Sequence, residues 1–584
     1  MKKKQIPGLM LAMVQKDTVL FAGGIGQANL ATGEKVTNRH IFRLGSITKS
    51  FTALAILQLS REGRFRLDQP LREIAPEIDF ENPWEQSDPV RLIHLLEHTA
   101  GFDDMRLGTV YIAGDKPLEA FEAVERHKKS MISRWKPGLC SSYSNPGYAI
   151  LGYLVEKYSG MPYEEYVKTK ILHPIGLDQA HFSERDLFDS LPHAHGYVVN
   201  PKKVLEDKGF PQIVGNGAGA LCASAQDMAA WLLYLTSHGK GSKLPLLDSA
   251  ILSESRHSHS TLASFLGHQV GYGYGIYKGF LKTPVPFYGH SGGIDGFISY
   301  YGFVPSLGVG FALSANAMSS IQELTQIVAA YLTTGVEAEF FEPKAISETQ
   351  RRKWSEVQGY FALFNHRQAF SAPVAYLFNG VHASWKGDTL LIESFLEPAE
   401  YYLHQGQGAF RKPGQNSASA FILFQDNETP YLLVEDSIFK PSSGTQARFW
   451  LILWISAAVI AMVMVFMGLV WTIMVLTKGL TFRRYLVRML PVGSVLAMLF
   501  VVFAIALLAS NPASVTERTF TSLLIPVGTV LFMALSHLGL FIPFLHNFQE
   551  PSKWVRVVVL VSSAHFTLLS WYLFHFGLIG TQFW

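Results

Sequence analysis

A serine placed three residues before a lysine sets a hydroxyl and an amine on one face of a helix, because positions three apart are neighbours there. Buried among apolar side chains, the lysine gives up its proton more readily and can take the serine's, leaving an oxygen nucleophile fit for acyl transfer. The 584-residue chain contains S-x-x-K four times, starting at Ser46, Ser133, Ser237 and Ser437. Ser133 and Ser437 run into a proline directly after their lysines, and Ser237 lies in a glycine-containing stretch. Ser46–Lys49 alone opens a long apolar run, SITKSFTALAILQLSREG, which supplies both the spacing and the desolvation. Ser46 is the candidate nucleophile and Lys49 its base.

Two rarer patterns accompany the pair. Tyr143-Ser144-Asn145 occurs once; a tyrosine beside a cationic lysine can relay a proton, and an asparagine can hold a substrate amide. Taken alone, SYSNPG reads as a turn. His290-Ser291-Gly292 also occurs once, just before FISYYGFVP. That run reads as an edge strand, against which a substrate backbone could pair. Gly289–Gly293 matches G-x-S-x-G as well, but that elbow requires strand, sharp turn and helix, followed by an acid and a histidine. A strand-like run follows here, and the next histidine, His366, lies in a separate segment. The elbow is set aside. Neither H-E-x-x-H nor C-x-x-C is present, so no metal site is expected, nor any organic cofactor. The two cysteines, Cys140 and Cys222, read as buried thiols rather than a disulfide framework.

The elements that must position these residues come in three blocks. Residues 9–22 and 41–44 read as strands around a glycine-rich turn, GGIGQANLATGE. Helical patterns follow at 46–63, 146–159, 225–238 and 319–334, with strands FISYYGFVP and GVGFALSAN before the last. Mixed strands and helices predict an α/β or α+β domain over residues 1–335. A charged linker, 336–350, leads into the strand-like runs VAYLFNG, TLLIESF, EYYLHQG, SAFILFQ and YLLVEDSIF. Their spacing predicts a small antiparallel barrel or sandwich within 351–447.

The last block, 448–584, holds apolar stretches at about 449–476, 489–509, 522–545 and 557–580. Each is long enough to cross a bilayer as a helix and lacks the polar face of a globular one. Lys478, Arg483, Arg484 and Arg488 follow the first stretch, Arg518 beside Glu517 the second, and Lys553 with Arg556 the third. The tail TQFW is uncharged. The positive-inside rule then puts the first and third loops in the cytoplasm and everything before residue 449 outside it. The start, MKKKQIPGLMLAMVQKD, lacks a proper apolar leader and cleavage site and reads as the first strand. Export therefore requires either an upstream segment or the first membrane helix. His537, His565 and His575 fall within the third and fourth spans and read as neutral hydrogen-bonding groups. The helices are expected to contact lipid and offer a candidate oligomer interface. A formal net charge of +3 argues against nucleic acid as a partner.

Ser46-x-x-Lys49, Tyr143-x-Asn145 and His290-Ser291-Gly292, with LLEHTAG at 95–101 and GNGAGALCASAQDMAAWL at 215–232, resemble the penicillin-binding protein and serine β-lactamase family. Tyr-x-Asn is similar to its class C and low-molecular-weight peptidase branch. The resemblance covers roughly 6–335, and 351–440 looks like the lipocalin-like domain appended to such hydrolases. It implies a β-lactamase/transpeptidase-like fold and Lys49 with Tyr143 as proton carriers. It also implies an oxyanion hole at the N–H groups of Ser46 and Gly293, with Asn145, His290, Ser291 and Gly292 binding substrate. The departure is His290 where the family usually has lysine. That is similar to esterases and D-aminopeptidases of the family, and a histidine offers a cation only when protonated. The expected function is a peptidase acting on peptide or amide substrates, with an esterase as runner-up. A third reading is a β-lactam or cell-wall sensor that is acylated without turnover. Transport through the four helices is disfavoured, because they carry no paired carboxylates.

Overall fold

The computed structural model describes the whole chain except residues 107–108, 113–117, 183–190, 201–202, 241, 244–247, 280, 338–340, 395–397, 416, 426–428, 478, 511–519, 546–551 and 581–584. The first unit is built on a seven-stranded antiparallel sheet. Its strands are β1 (Gly8–Gln15), β2 (Thr18–Asn29), β3 (Glu34–Lys35), β4 (Tyr277–Lys278), β5 (Tyr288–Ile294), β6 (Phe297–Val304) and β7 (Val309–Ala315), in the spatial order β3-β2-β1-β7-β6-β5-β4. Side chains alternate along β1 as a two-residue period demands. Met10, Ala12 and Val14 enter the larger core, whereas Leu9, Leu11 and Met13 face a smaller one under helix Gln322–Leu332.

The larger core surrounds helix α1 (Thr48–Arg61), whose residues from Thr48 to Ile56 are all buried. Helix α2 (Asn145–Ser159) and helix α3 (Ala225–Thr236) flank it, and Phe51 meets Trp231 of α3 at 4.5 Å between ring centroids. Helices and antiparallel strands thus segregate as α+β. Ser224 caps α3 through a reciprocal box with Asp227.

Two readings of this unit change. GGIG is not a turn: the turn falls at Lys16–Asp17, and the glycines lie inside β2. They are there for space, since a Cβ on Gly24 would stand 2.0 Å from a Val36 methyl. His290-Ser291-Gly292 does not precede an edge strand but sits within β5, while FISYYGFVP forms the internal strand β6 between β5 and β7. The edge strand β4 pairs with Gly289 and Tyr288 only, so the rest of β5 extends beyond it.

The second unit is a closed antiparallel barrel of eight strands. They are β8 (Gly359–Leu363), β9 (Val381–Lys386), β10 (Thr389–Ser394), β11 (Glu400–Gly406), β12 (Ala409–Arg411), β13 (Ala420–Gln425), β14 (Thr429–Val434) and β15 (Ser437–Pro441). YLLVEDSIF splits into two strands at a tight hairpin where Glu435 takes φ +58°. VAYLFNG is helical, within Ala372–Phe378, where Ala375 and Leu377 are buried. A short apolar run without alternation does not distinguish strand from helix, and packing decides it here. Phe395, the end of TLLIESF, lies outside the described residues.

Four helices end the chain: Gly444–Leu476, Phe482–Ser510, Phe520–Phe541 and Lys553–His575. All four are long and apolar enough to cross a membrane. Their outer faces carry exposed apolar side chains, among them Phe466, Val502, Val527 and Trp571, the arrangement lipid favours over water. Inside the bundle His565 Nε2 lies 2.8 Å from Ser456 Oγ on the first helix, an interhelical bond of the expected kind. His537 Nδ1 bonds locally to the Met533 carbonyl at 2.7 Å, and His575 packs on Phe576. Lys478, Glu517, Arg518 and the tail TQFW, used above for orientation, lie outside the described residues.

Candidate active site

Ser46 stands in a 3-10 turn, Gly45–Ile47, one step before α1 rather than inside it. The turn is possible because Gly45 takes φ +56°, and a Cβ there would press to 2.9 Å from the Gly293 backbone. Strand β5 approaches just as closely from its own side: a Cβ on Gly292 would lie 1.9 Å from the Leu44 carbonyl oxygen and 3.2 Å from Ser46 N. The backbone of Ser46 and that of Gly293 are thereby brought side by side. Gly292→Ala is expected to force β5 off the turn and lower kcat by about 100-fold with the chain still folded, because misplacing a reacting group by about 1 Å costs that much. Steady-state kinetics with a thermal melt checks it; unchanged kcat would disprove the fit.

Lys49 Nζ lies 3.1 Å from Ser46 Oγ, 2.7 Å from Asn145 Oδ1 and 2.6 Å from the Ala218 carbonyl oxygen. The amine is fully buried, and desolvation pushes its pKa well below the usual lysine value. Asp104 opposes that shift and Arg367 adds to it. The glycine-rich stretch at 215–219 has a structural use here, since it forms the short turn Asn216–Gly219 that presents the Ala218 carbonyl to Lys49.

Tyr143 lines the same cavity as Ser46 and lies with its ring 4.9 Å from Lys49 Nζ. Burial raises its phenol pKa, and its neighbour Ser46 partly offsets this. Asn145 begins α2, and its backbone N–H and side-chain Nδ2 both donate to Asp104 Oδ1 at 2.9 Å. A carboxylate can only accept, so the Asn145 amide must turn its oxygen to Lys49.

His290 is 1% exposed. Its Nδ1 donates to the Ser291 carbonyl, which leaves Nε2 to accept from the Tyr272 hydroxyl at 2.8 Å. Burial, reinforced by the charge of Lys49, lowers its pKa to about 3. The imidazole is neutral near pH 7 and supplies no cation. Ser291 is exposed and its Oγ accepts from the Tyr277 hydroxyl at 2.8 Å. Because Ser291 lies in mid-strand, the strand–turn–helix elbow does not form. Cys140 and Cys222 are both buried thiols.

Four neighbours escape sequence reasoning. Asp104 is 2% exposed and orients Asn145. His98 adopts φ +57° and accepts the Ser144 N–H at Nδ1, 3.1 Å away, with its ring against Tyr143. Glu97 is fully buried and accepts from the Ser258 and Ser260 hydroxyls at 2.7 and 2.6 Å, tying the 258–260 loop to the site. Tyr272 holds His290. Only Glu97 and His98 have a local signal, the LLEHTAG string.

The Beta-lactamase family model matches residues 1–333. The chain belongs to the beta-lactamase family. It is a family of serine hydrolases that work through an acyl-enzyme. A beta-lactamase of Yersinia enterocolitica is 26% identical over 269 residues, 44% of this chain and 62% of that protein. Penicillin-binding protein 4 of Amycolatopsis lactamdurans is 27% identical over 319 residues, 53% of this chain and 81% of that protein. The chain therefore spans less than two thirds of the first relative's length and more of the second's. The octameric penicillin-binding protein homologue from Pyrococcus abyssi shares the fold, with a TM-score of 0.51 at 23% identity over 76% of this chain and 97% of that one.

Proposed function

We propose that this chain is a membrane-anchored serine hydrolase that cleaves peptide or amide bonds outside the cytoplasm through an acyl-enzyme on Ser46. The observation that carries the reading is the buried Lys49 amine, 3.1 Å from Ser46 Oγ and shifted toward its neutral form. As Oγ attacks the carbonyl carbon, Lys49 takes the hydroxyl proton, with Tyr143 sharing the transfer. The N–H groups of Ser46 and Gly293 steady the oxyanion. Tyr143 hands a proton to the leaving amine as the C–N bond breaks and is reprotonated from Lys49; water then gives a proton to Lys49 as it attacks the ester, and that proton returns to Ser46 Oγ as the acid leaves. Asn145 holds Lys49 and the substrate amide, and His290 supports β5 as a neutral group. The extracytoplasmic placement is supported by the basic residues Arg483, Arg484, Arg488, Lys553 and Arg556 in the first two turns of the second and fourth apolar helices.

One observation favours an esterase as second reading: the neutral His290 lacks the permanent charge that lysine would give. The test is a hydrolysis panel on detergent-purified full-length protein, using acyl-dipeptides, D-amino acid amides, p-nitrophenyl esters and nitrocefin, with the fluorophosphonate adduct mapped by mass spectrometry. Amide turnover with the adduct on Ser46 is expected. An adduct on Ser291 would sink the site, turnover of esters alone would select the esterase, and a stoichiometric burst without turnover would select a sensor.

A further inference from the structure

The barrel reaches into the same site. The segment after β8 lays Asn365, His366 and Arg367 across the catalytic unit. Asn365 Nδ2 donates to the Ser141 carbonyl, and Arg134 Nη1 donates to the His366 carbonyl, each at 2.7 Å. Arg367 Nε then donates to Asp104 Oδ2 at 2.6 Å, and its guanidinium carbon stands 4.6 Å over the Tyr143 ring. Because Asp104 also binds Asn145, which binds Lys49, the guanidinium connects through two residues to the candidate base. Asp104 is 2% exposed, yet the Arg367 side chain is 57% exposed. It lines a cavity of about 1360 Å³ that also holds Ser46, Tyr143 and His290.

We propose that Arg367 anchors a carboxylate on the substrate, which makes the natural substrate an anionic peptide or amide. The proposal rests on Ser46 as nucleophile and names the substrate class for that site. A guanidinium presents five donors in a rigid fork suited to bidentate carboxylate binding. Here Nε is committed to Asp104, and neither Nη nitrogen has a hydrogen-bond partner among the described residues. The ion pair and the Tyr143 face fix the plane of the fork before any ligand arrives, so little side-chain freedom remains to be lost on binding. The other cations of the cavity are placed differently. Lys412 is held by Glu400 and Glu435 at 2.7 and 3.4 Å, Lys278 by Ser417, Arg256 lies over Tyr288, and Lys282 is exposed past the end of β4, with nothing among the described residues to fix its amine toward Tyr143. With His290 uncharged, Arg367 is the cation that meets a substrate carboxylate beside Tyr143.

The test compares an N-acyl dipeptide bearing a free C-terminal carboxylate with its carboxamide, each as a competitor of fluorophosphonate labelling on the full-length protein. The measurement needs no turnover. The wild type should bind the acid more tightly than the amide. Arg367→Ala should reduce that preference by about 10- to 100-fold, the usual worth of hydrogen bonds to a charged group. Arg367→Lys should restore part of it. A preference for the amide in the wild type overturns the proposal. So does equal weakening of both ligands in Arg367→Ala, which would make Arg367 only a latch between the two units. Absence of label on Ser46 in the wild type would overturn the nucleophile reading, and the anchor with it.

Discussion

Ser46→Ala is expected to abolish fluorophosphonate labelling and to lower kcat/KM by about 10⁴-fold or more, since removing a nucleophile that acts in concert with its base removes the covalent route entirely. The protein should stay folded. Ser46 is not fully buried, and its side chain is anchored by the 3.1 Å contact with Lys49. The remaining S-x-x-K serines serve as internal controls. Ser133 Oγ donates to the Ala100 carbonyl at 2.8 Å, a structural bond in a buried loop. Ser237 closes the end of α3, donating to the Tyr234 carbonyl at 3.4 Å, with Lys240 exposed. Ser437 starts β15, with Lys440 exposed. Alanine at any of these three should leave labelling intact. Label retained in Ser46→Ala would end the assignment.

The same contrast explains what could be read in advance. Ser46 and Lys49 are legible because both halves of their chemistry are local: the spacing sets the geometry, and the apolar helix sets the desolvation. The four helices long and apolar enough to cross a membrane are legible for a similar reason, since each carries its own length and hydropathy. Local patterns misled where packing decides. GGIG has the composition of a turn but serves β2, because Val36 leaves no room for a side chain at position 24 and the Pro7 carbonyl leaves none at position 26. VAYLFNG offers no alternation and folds as a helix whose Tyr376 carbonyl accepts from Tyr360 of β8. Asp104 was beyond reach for another reason. Its role depends on Asn145, 41 residues away, and on Arg367, 263 residues away. An aspartate within GFDD has no local property that announces either partner. The neutrality of His290 is likewise a product of burial and of the neighbouring Lys49, which its triplet alone does not encode.

Lys49 carries the second large effect. Its amine meets two groups that can only accept, Asn145 Oδ1 and the Ala218 carbonyl, and one hydroxyl, Ser46. A neutral amine has two N–H donors and one lone pair, so this set is satisfied with the lone pair directed at Ser46. Protonation would occupy that lone pair. Activity must therefore fall as pH drops through the lowered Lys49 pKa, by tenfold for each unit below it. The charges and titratable groups around the amine fix where that limb lies: Asp104 favours the charged form, Arg367 opposes it, and His98, His290 and Tyr143 face it as neutral groups near pH 7. Lys49→Arg keeps a cation of nearly the same reach, but a guanidinium does not release its proton. It should lose about 10³-fold in kcat/KM and show no acid limb. Lys49→Met removes the base and also leaves the Asn145 and Ala218 oxygens unpaired, which costs about 1–3 kcal/mol of stability for each. It should be as inactive as Lys49→Arg and melt at a lower temperature. A pH–rate profile with thermal melts on the three proteins separates these effects. If Lys49→Arg kept more than about a tenth of wild-type activity, proton abstraction by Lys49 could not be the step that activates Ser46.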